Sequence, residues 1–241
     1  MKSRLAGSLS LLTLVLTGFW LIFLITDRAA AGPMDTFEQV LAHVSKLNAV
    51  FYLTYFNAAL ITLSASLLFA VLYITLKTYS AALALMGLIF VPVYAVLNLS
   101  VYLSQISILP GLLALQKQPE MAAAAGMLLR VIVQQWPASG AAFFNNLAYA
   151  VLGIPSILYG LLLTTRGFAF KWAGILLALN GAACILGAAG SLVGNSLLAS
   201  GSLVGGILFL AALVPMSTAF LGRGAYQGFN NTTMSMDRGE L

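Results

Sequence analysis

The sequence predicts an all-α membrane protein, a bundle of about six transmembrane helices. Three observations carry that expectation. Of 241 residues, 61% are hydrophobic and only 7% charged, with a mean hydropathy of +1.00. A water-soluble domain carries roughly 25% charged residues, so this chain has too few to cover a water-facing surface. Second, its apolar residues gather in stretches of about 20 or more, the length a helix needs to cross a bilayer. Third, those stretches are apolar on every face, whereas barrel strands alternate polar and apolar residues over about 10 positions. Backbone groups in lipid must bond internally, and within these stretches a helix meets that demand.

The first stretch, 5–26, follows Lys2 and Arg4 and precedes Ala29-Ala30-Ala31, a pattern that resembles a signal peptide with its cleavage site. The apolar run exceeds the about 7–15 residues of a signal core, so it reads as a retained first span. Further spans fall at 49–76, 81–109, 141–165, 172–197 and 202–222. Residues 1–222 thus form a single transmembrane domain, and 223–241 a polar C-terminal tail.

Two connections are amphipathic rather than spanning. From Pro33 to Leu47, the residues Met34, Phe37, Val40, Leu41, Val44 and Leu47 recur at spacings of three and four. One apolar stripe results, fit for a helix lying on the membrane surface. Asp35 followed by Glu38 reads as its capping box. A second span that begins near Thr36 is the competing arrangement, because no Gly or Pro occurs between Met34 and Met86; a bend is expected. The second segment, 119–136, starts at Pro119 in a first helical turn and stops at Pro137, with Glu120 and Arg130 opposing a full crossing.

Orientation follows from the basic residues. With the N-terminus cytoplasmic, Lys2, Arg4, Lys77, Arg166, Lys171, Arg223 and Arg238 lie inside, against Arg28, Lys46, Lys117 and Arg130 outside. The inner loops are shorter, so the bias places both ends in the cytoplasm and both amphipathic segments outside. Tyr79 and Trp172 would mark the inner interface, and Trp20, Phe51, Tyr52 and Trp136 the outer one. The formal charge of +5 arises from these scattered cations, which form no cluster, so a nucleic-acid partner is not expected. The lone Cys184 excludes an intramolecular disulfide.

Catalytic chemistry finds no foothold. Every ionisable side chain, His43 included, falls at or beyond an expected helix end, and buried titratable groups are the usual functional signal in a membrane. No His or Cys cluster offers metal or haem ligation, and neither G-x-S-x-G nor H-E-x-x-H occurs. No catalytic residue, metal or cofactor is expected, and the chain does not read as an enzyme. Uncharged polar residues remain. Asn57, Asn98, Tyr102, Gln105, Asn145 and Asn146 fall in the outer halves of spans, with Tyr94 near the shared face of Asn98 and Gln105. They serve either as helix–helix hydrogen bonds, worth about 0.6–2 kcal/mol each, or as a polar pocket open to the outside. Gly187, Gly190 and Gly194 put small residues along the fifth span, as do Gly201 and Gly205 along the sixth. Close packing through small residues predicts a hairpin whose backbones approach more closely than any other pair. The sequons at Asn230-Asn231-Thr232-Thr233 fall on the cytoplasmic side, where glycosylation is not expected.

The stretch Phe143-Phe144-Asn145-Asn146 through Gly153-Ile154-Pro155-Ser156-Ile157-Leu158-Tyr159-Gly160 resembles uncharacterised bacterial multi-helix integral membrane proteins. The resemblance covers one helix and, beyond it, topology alone. It implies a multi-pass protein of the bacterial inner (cytoplasmic) membrane and no named activity. The expected function is a non-catalytic accessory or scaffolding subunit of a larger membrane complex, partnered by lipid and other membrane subunits. A transporter or channel for a neutral or lipophilic solute is the alternative.

Overall fold

Ten helices and no strand occur among the described residues, 2–222, of the computed structural model; the side chains of Lys2 and Ser3 are not described. The expected tail at 223–241, with its sequons and the cations Arg223 and Arg238, lies outside them. In chain order the helices are α1 (Lys2–Ala31), α2 (Phe37–Val44), α3 (Ala49–Leu76), α4 (Ala81–Ser107), α5 (Leu109–Gln116), α6 (Ala122–Ile132), α7 (Gly140–Thr164), α8 (Phe168–Leu192), α9 (Ser196–Ala199) and α10 (Gly201–Leu221). Six of them, α1, α3, α4, α7, α8 and α10 with the preceding turn, are long and apolar enough to cross a membrane.

The six spans run up and down in sequence order and close into a ring, each packed on the next, with α10 returning to α1. Tight turns join them at one end of the bundle, while α2, α5, α6 and α9 cover the other, called here the loop end. Buried side chains fill the ring's interior. Leu68, Phe69 and Leu72 of α3 meet Tyr159 of α7 and Leu213 and Met216 of α10. The Tyr159 ring stacks on Phe69 at 5.6 Å between centroids. Its hydroxyl donates to the Ala84 carbonyl at 3.0 Å. Gly87, one turn further along α4, lacks the Cβ that would collide with that ring.

Glycines set the spacing of α7, α8 and α10. A Cβ at Gly153 would stand 2.6 Å from the Gly181 carbonyl oxygen, and one at Gly160 2.6 Å from that of Gly174. The α8–α10 hairpin is built alike: a Cβ at Gly201 would lie 2.6 Å from the Ala183 carbonyl oxygen, while Gly187 faces the Ser202 backbone, Gly190 the Ala199 backbone and Gly205 the Cys184 sulfur. The primacy expected for this hairpin is therefore corrected, because α7 and α8 also touch backbone to backbone, at two levels. Gly194 is corrected as well. It stands outside α8 at φ 68°, with no heavy atom within 4 Å of its would-be Cβ. Its role is to adopt a left-handed turn, which costs glycine little.

Other boundaries differ for local reasons. The third span ends at Ser107, since Pro110 has no N–H to give and its ring would strike the Ile106 carbonyl; the chain restarts as α5 with proline in its first turn. The capping box of α2 lies one residue later than expected. Thr36 Oγ1 accepts from Gln39 N–H at 3.3 Å, and Gln39 Oε1 accepts from Thr36 N–H at 3.1 Å and Asp35 N–H at 2.8 Å. The bend between α2 and α3 sits at Leu47, whose φ of 42° is the only positive value among described non-glycine residues. Asn48 then caps α3, accepting from Phe51 N–H at 2.8 Å. In the second connection Pro119 precedes the helix, occupying the second position of a turn closed by Met121 N–H to the Gln118 carbonyl at 3.0 Å. α8 begins at Phe168, four residues before the expected 172, and ends at Leu192.

Gly181→Ala places a methyl against a carbonyl and should destabilise the bundle by about 1–3 kcal/mol, the scale of overpacking. Gly206, a neighbour on α10 with open space at its Cβ, supplies the contrast: Gly206→Ala should melt in detergent at or above the parent's midpoint. Equal midpoints for both variants would remove the glycine seam as the spacing device.

Candidate functional site

Polar side chains are rare in this chain, and most of those buried between helices lie on α4 and the helices beside it. Tyr94, Asn98, Tyr102 and Gln105 repeat at three or four residues, which aligns them along one side of α4. The rungs they form climb toward the loop end. At the lowest, Asn98 Nδ2 donates to Thr62 Oγ1 of α3 at 3.1 Å and to Tyr94 Oη at 3.3 Å. Above it, the hydroxyls of Tyr102 and Tyr149, the latter on α7, share a hydrogen bond of 2.6 Å.

Gln105 tops the α4 stripe and determines where α6 stops. Its Nε2 donates to the Ile132 carbonyl at 2.8 Å, and its Oε1 accepts from Gln134 N–H at 3.2 Å. One amide side chain thus satisfies backbone groups on both sides of the break, where Val133 is already extended. Helix α6 therefore ends at Ile132, well before Pro137. Gln134 in turn accepts from the Tyr55 hydroxyl at 3.0 Å.

The highest buried rung is ionisable. Asp27, one turn before the end of α1, meets His43 of α2 at 2.9 Å between Oδ1 and Nε2. Their side chains are 6% and 3% exposed, respectively. Gln135 Nε2 donates to Asp27 Oδ2 at 3.3 Å. The expectation that every ionisable group lies at or beyond a helix end is corrected here. Helix α1 runs on past residue 26, so Asp27 sits within it, and α2 folds back to bury both partners. His43 Nδ1 and Gln135 Oε1 carry no hydrogen bond within the protein.

An ion pair stands outside this rung. Arg130 Nη2 donates to Glu38 Oε1 at 2.8 Å, and its guanidinium lies 4.3 Å from the Phe37 ring centroid. Both partners are largely exposed. Backbone hydrogen bonding at the first turn of α2, and then Arg130, hold the Glu38 carboxyl below its ordinary value. Phe37 packs edge-on against Trp136 at 5.7 Å. Phe51, expected among the outer interfacial aromatics, is buried beneath this cap against Tyr55 at 4.9 Å.

Five of the six residues expected to line an outer pocket are thus split among three places. Asn98, Tyr102 and Gln105 belong to the ladder. Asn57 faces α1, donating to the Leu16 carbonyl at 2.8 Å, and Asn146 faces α8, donating to Ser191 Oγ at 3.1 Å. Asn145 keeps a buried Oδ1 without a hydrogen bond. Sequence reasoning missed Asp27, His43 and Gln135, which the end of α1 and two separate connections bring together. No group of three or more His, Cys, Asp or Glu suited to a metal ion occurs among the described residues. Compared with protein-family models, curated proteins and solved structures, the chain matches none.

Removing one member of a buried hydrogen-bonded pair leaves the other polar group unsatisfied, with a typical cost of about 1–3 kcal/mol. Asp27→Ala and His43→Ala should each lower the detergent melting midpoint sharply. The double variant should fall short of their sum, with a coupling of about 0.5–3 kcal/mol. Strict additivity would mean that the two residues act independently. Arg130→Ala, which breaks a pair in water, should leave the midpoint almost unmoved.

Proposed function

We propose that the protein is a non-catalytic accessory or scaffolding subunit of a larger membrane complex. The observation that carries this reading is the use of the buried polar side chains, in the ladder and beside it. Asn57, Asn98, Tyr102, Gln105 and Asn146 hydrogen-bond across helices to other parts of the same chain. Buried polar groups engaged in this way fix a shape, and a fixed shape is what a scaffold contributes. The cap adds a structured surface of short helices at one end, suited to contact with other membrane subunits.

In this proposal the protein sits in a bacterial cytoplasmic membrane with both ends in the cytoplasm. The loop end, with amphipathic α2 and α6, faces outward. Counting the two chain ends with the short turns at the other end, seven Lys and Arg stand against four at the loop end, which supports this orientation. The bacterial setting rests on the resemblance at 143–160 alone. A second reading, a transporter or channel for a neutral solute, draws on one feature: Asn98 Oδ1, inside the ladder, is buried without a hydrogen-bond partner.

Orientation is tested with Thr78→Cys and Gln118→Cys, each in a Cys184→Ser background. A membrane-impermeant thiol reagent should reach them from opposite faces; labelling from one face overturns the topology. Function is tested by native electrophoresis of membranes solubilised in mild detergent. The protein, at its natural abundance, should migrate with other membrane proteins in fixed stoichiometry. A lone monodisperse chain that makes proteoliposomes permeable to small neutral solutes would favour the transporter instead.

A further inference from the structure

The loop end carries a cleft of about 710 Å³ between α2 and α5, within the range of about 300–1,000 Å³ for small-molecule sites. Its lining is mostly apolar, with Leu41 and Leu47 from the α2 side and Pro110 and Leu113 from α5. Two charged residues also line it, Glu38 and Lys117. They are not equivalent. Glu38 is already engaged by Arg130 at 2.8 Å, whereas Lys117 takes part in no ion pair among the described residues. The cleft therefore presents one uncompensated cation beside an apolar channel.

Its depth in the membrane follows from helix length. Helix α1 has 30 residues and α4 has 27, hence lengths of about 45 and 40 Å at about 1.5 Å per residue. The hydrocarbon core is about 30 Å thick, and about 40–45 Å with its headgroups. Helix α5 follows directly on α4, and α2 follows α1 after residues 32–36, so the cleft stands beside the ends of two membrane-length helices, a position suited to the level where acyl chains meet phosphates. This holds whichever face of the membrane the loop end occupies.

We infer that the cleft between α2 and α5 binds a phospholipid, one acyl chain against Leu41, Leu47, Pro110 and Leu113 and the phosphate at Lys117, with preference for an anionic headgroup. The apolar lining fits the chain, and Lys117 complements the phosphate. An anionic lipid such as phosphatidylglycerol brings no ammonium to compete for that position. The inference stands apart from the scaffold reading, since it concerns a lipid ligand and not a protein partner.

The test uses the full chain, delipidated in detergent and titrated separately with dioleoyl phosphatidylglycerol, dioleoyl phosphatidylcholine and glycerol phosphate, with native mass spectrometry as readout. One phosphatidylglycerol per chain should be retained in preference to phosphatidylcholine, and glycerol phosphate should not be retained. Lys117→Glu should weaken phosphatidylglycerol retention by about fivefold or more, the scale of one basic side chain at a lipid surface. Ala114 is an exposed residue of the cleft, so Ala114→Trp should fill it and abolish retention without disturbing the core. Both variants should keep the lipid-free melting midpoint of the parent. The inference is overturned if both variants retain phosphatidylglycerol as the parent does, or if the parent does not distinguish the two lipids. It also fails if Ala114→Trp keeps the lipid but releases a protein partner, which would make the cleft a protein seat.

Discussion

In a bilayer, apolar side chains gain little by turning toward one another, because lipid tails are as apolar as leucine. Helices must then associate through close backbone contact and interhelical hydrogen bonds. Half of this ring depends on the first device and half on the second. Helix α8 is the centre of the first half. Gly174 and Gly181 are seven residues apart and face α7, while Gly187 and Gly190 lie on the roughly opposite side, at about 100° per residue, and face α10 and the preceding α9. Glycine in a helix interior costs roughly 1 kcal/mol relative to alanine, so the contact on both sides of α8 must compensate for it. Where a polar side chain enters this half, it reinforces the same contact: Asn180 Nδ2 donates to the Gly205 carbonyl at 2.8 Å.

The other half, α1, α3 and α4, is joined by side-chain hydrogen bonds. Thr13 Oγ1 donates to Ser64 Oγ at 3.1 Å, Asn57 reaches the α1 backbone, and Asn98 reaches Thr62. The cap depends on this half. Helix α6 owes its end to Gln105 of α4, and the position of α2 owes much to Asp27 of α1. Short helices of 8 and 11 residues are marginal alone in water. Contacts from the spans below are what make them definite.

These two devices explain how much could be read from the sequence. The spans were legible because hydropathy acts residue by residue. The seam between α8 and α10 was legible because its glycines crowd into one stretch. Gly153, Gly160, Gly174 and Gly181 were overlooked, although they lie symmetrically about Gly167, as an antiparallel hairpin requires; their spacing of seven hides the pattern unless the turn is located first. Gly194 was misassigned because composition does not distinguish a glycine chosen for closeness from one chosen for positive φ. The stripe from Tyr94 to Gln105 was visible as periodicity on one helix. Its partners at Ile132 and Gln134 were not, since they depend on how a connection returns. Asp27 and His43 escaped for that same reason.

The distribution of side-chain size follows from lipid as the solvent. Gly153, Gly160, Gly174, Gly181, Gly187, Gly190, Gly201 and Gly205 face neighbouring helices, while Leu161, Leu179, Leu186, Leu203 and Ile207 on the same helices are exposed. In water this arrangement would be self-defeating, because exposed leucines form adhesive patches and glycine contacts bury little apolar area. In hydrocarbon the large side chains lose nothing by facing outward, and small ones inward let dispersion and backbone dipoles act at short range. The same logic explains why the residues bearing polar chemistry concentrate toward the loop end. There the spans end, α2 and Gln135 enclose Asp27 and His43, and a hydrogen-bonded titratable pair becomes tolerable that mid-membrane burial would penalise.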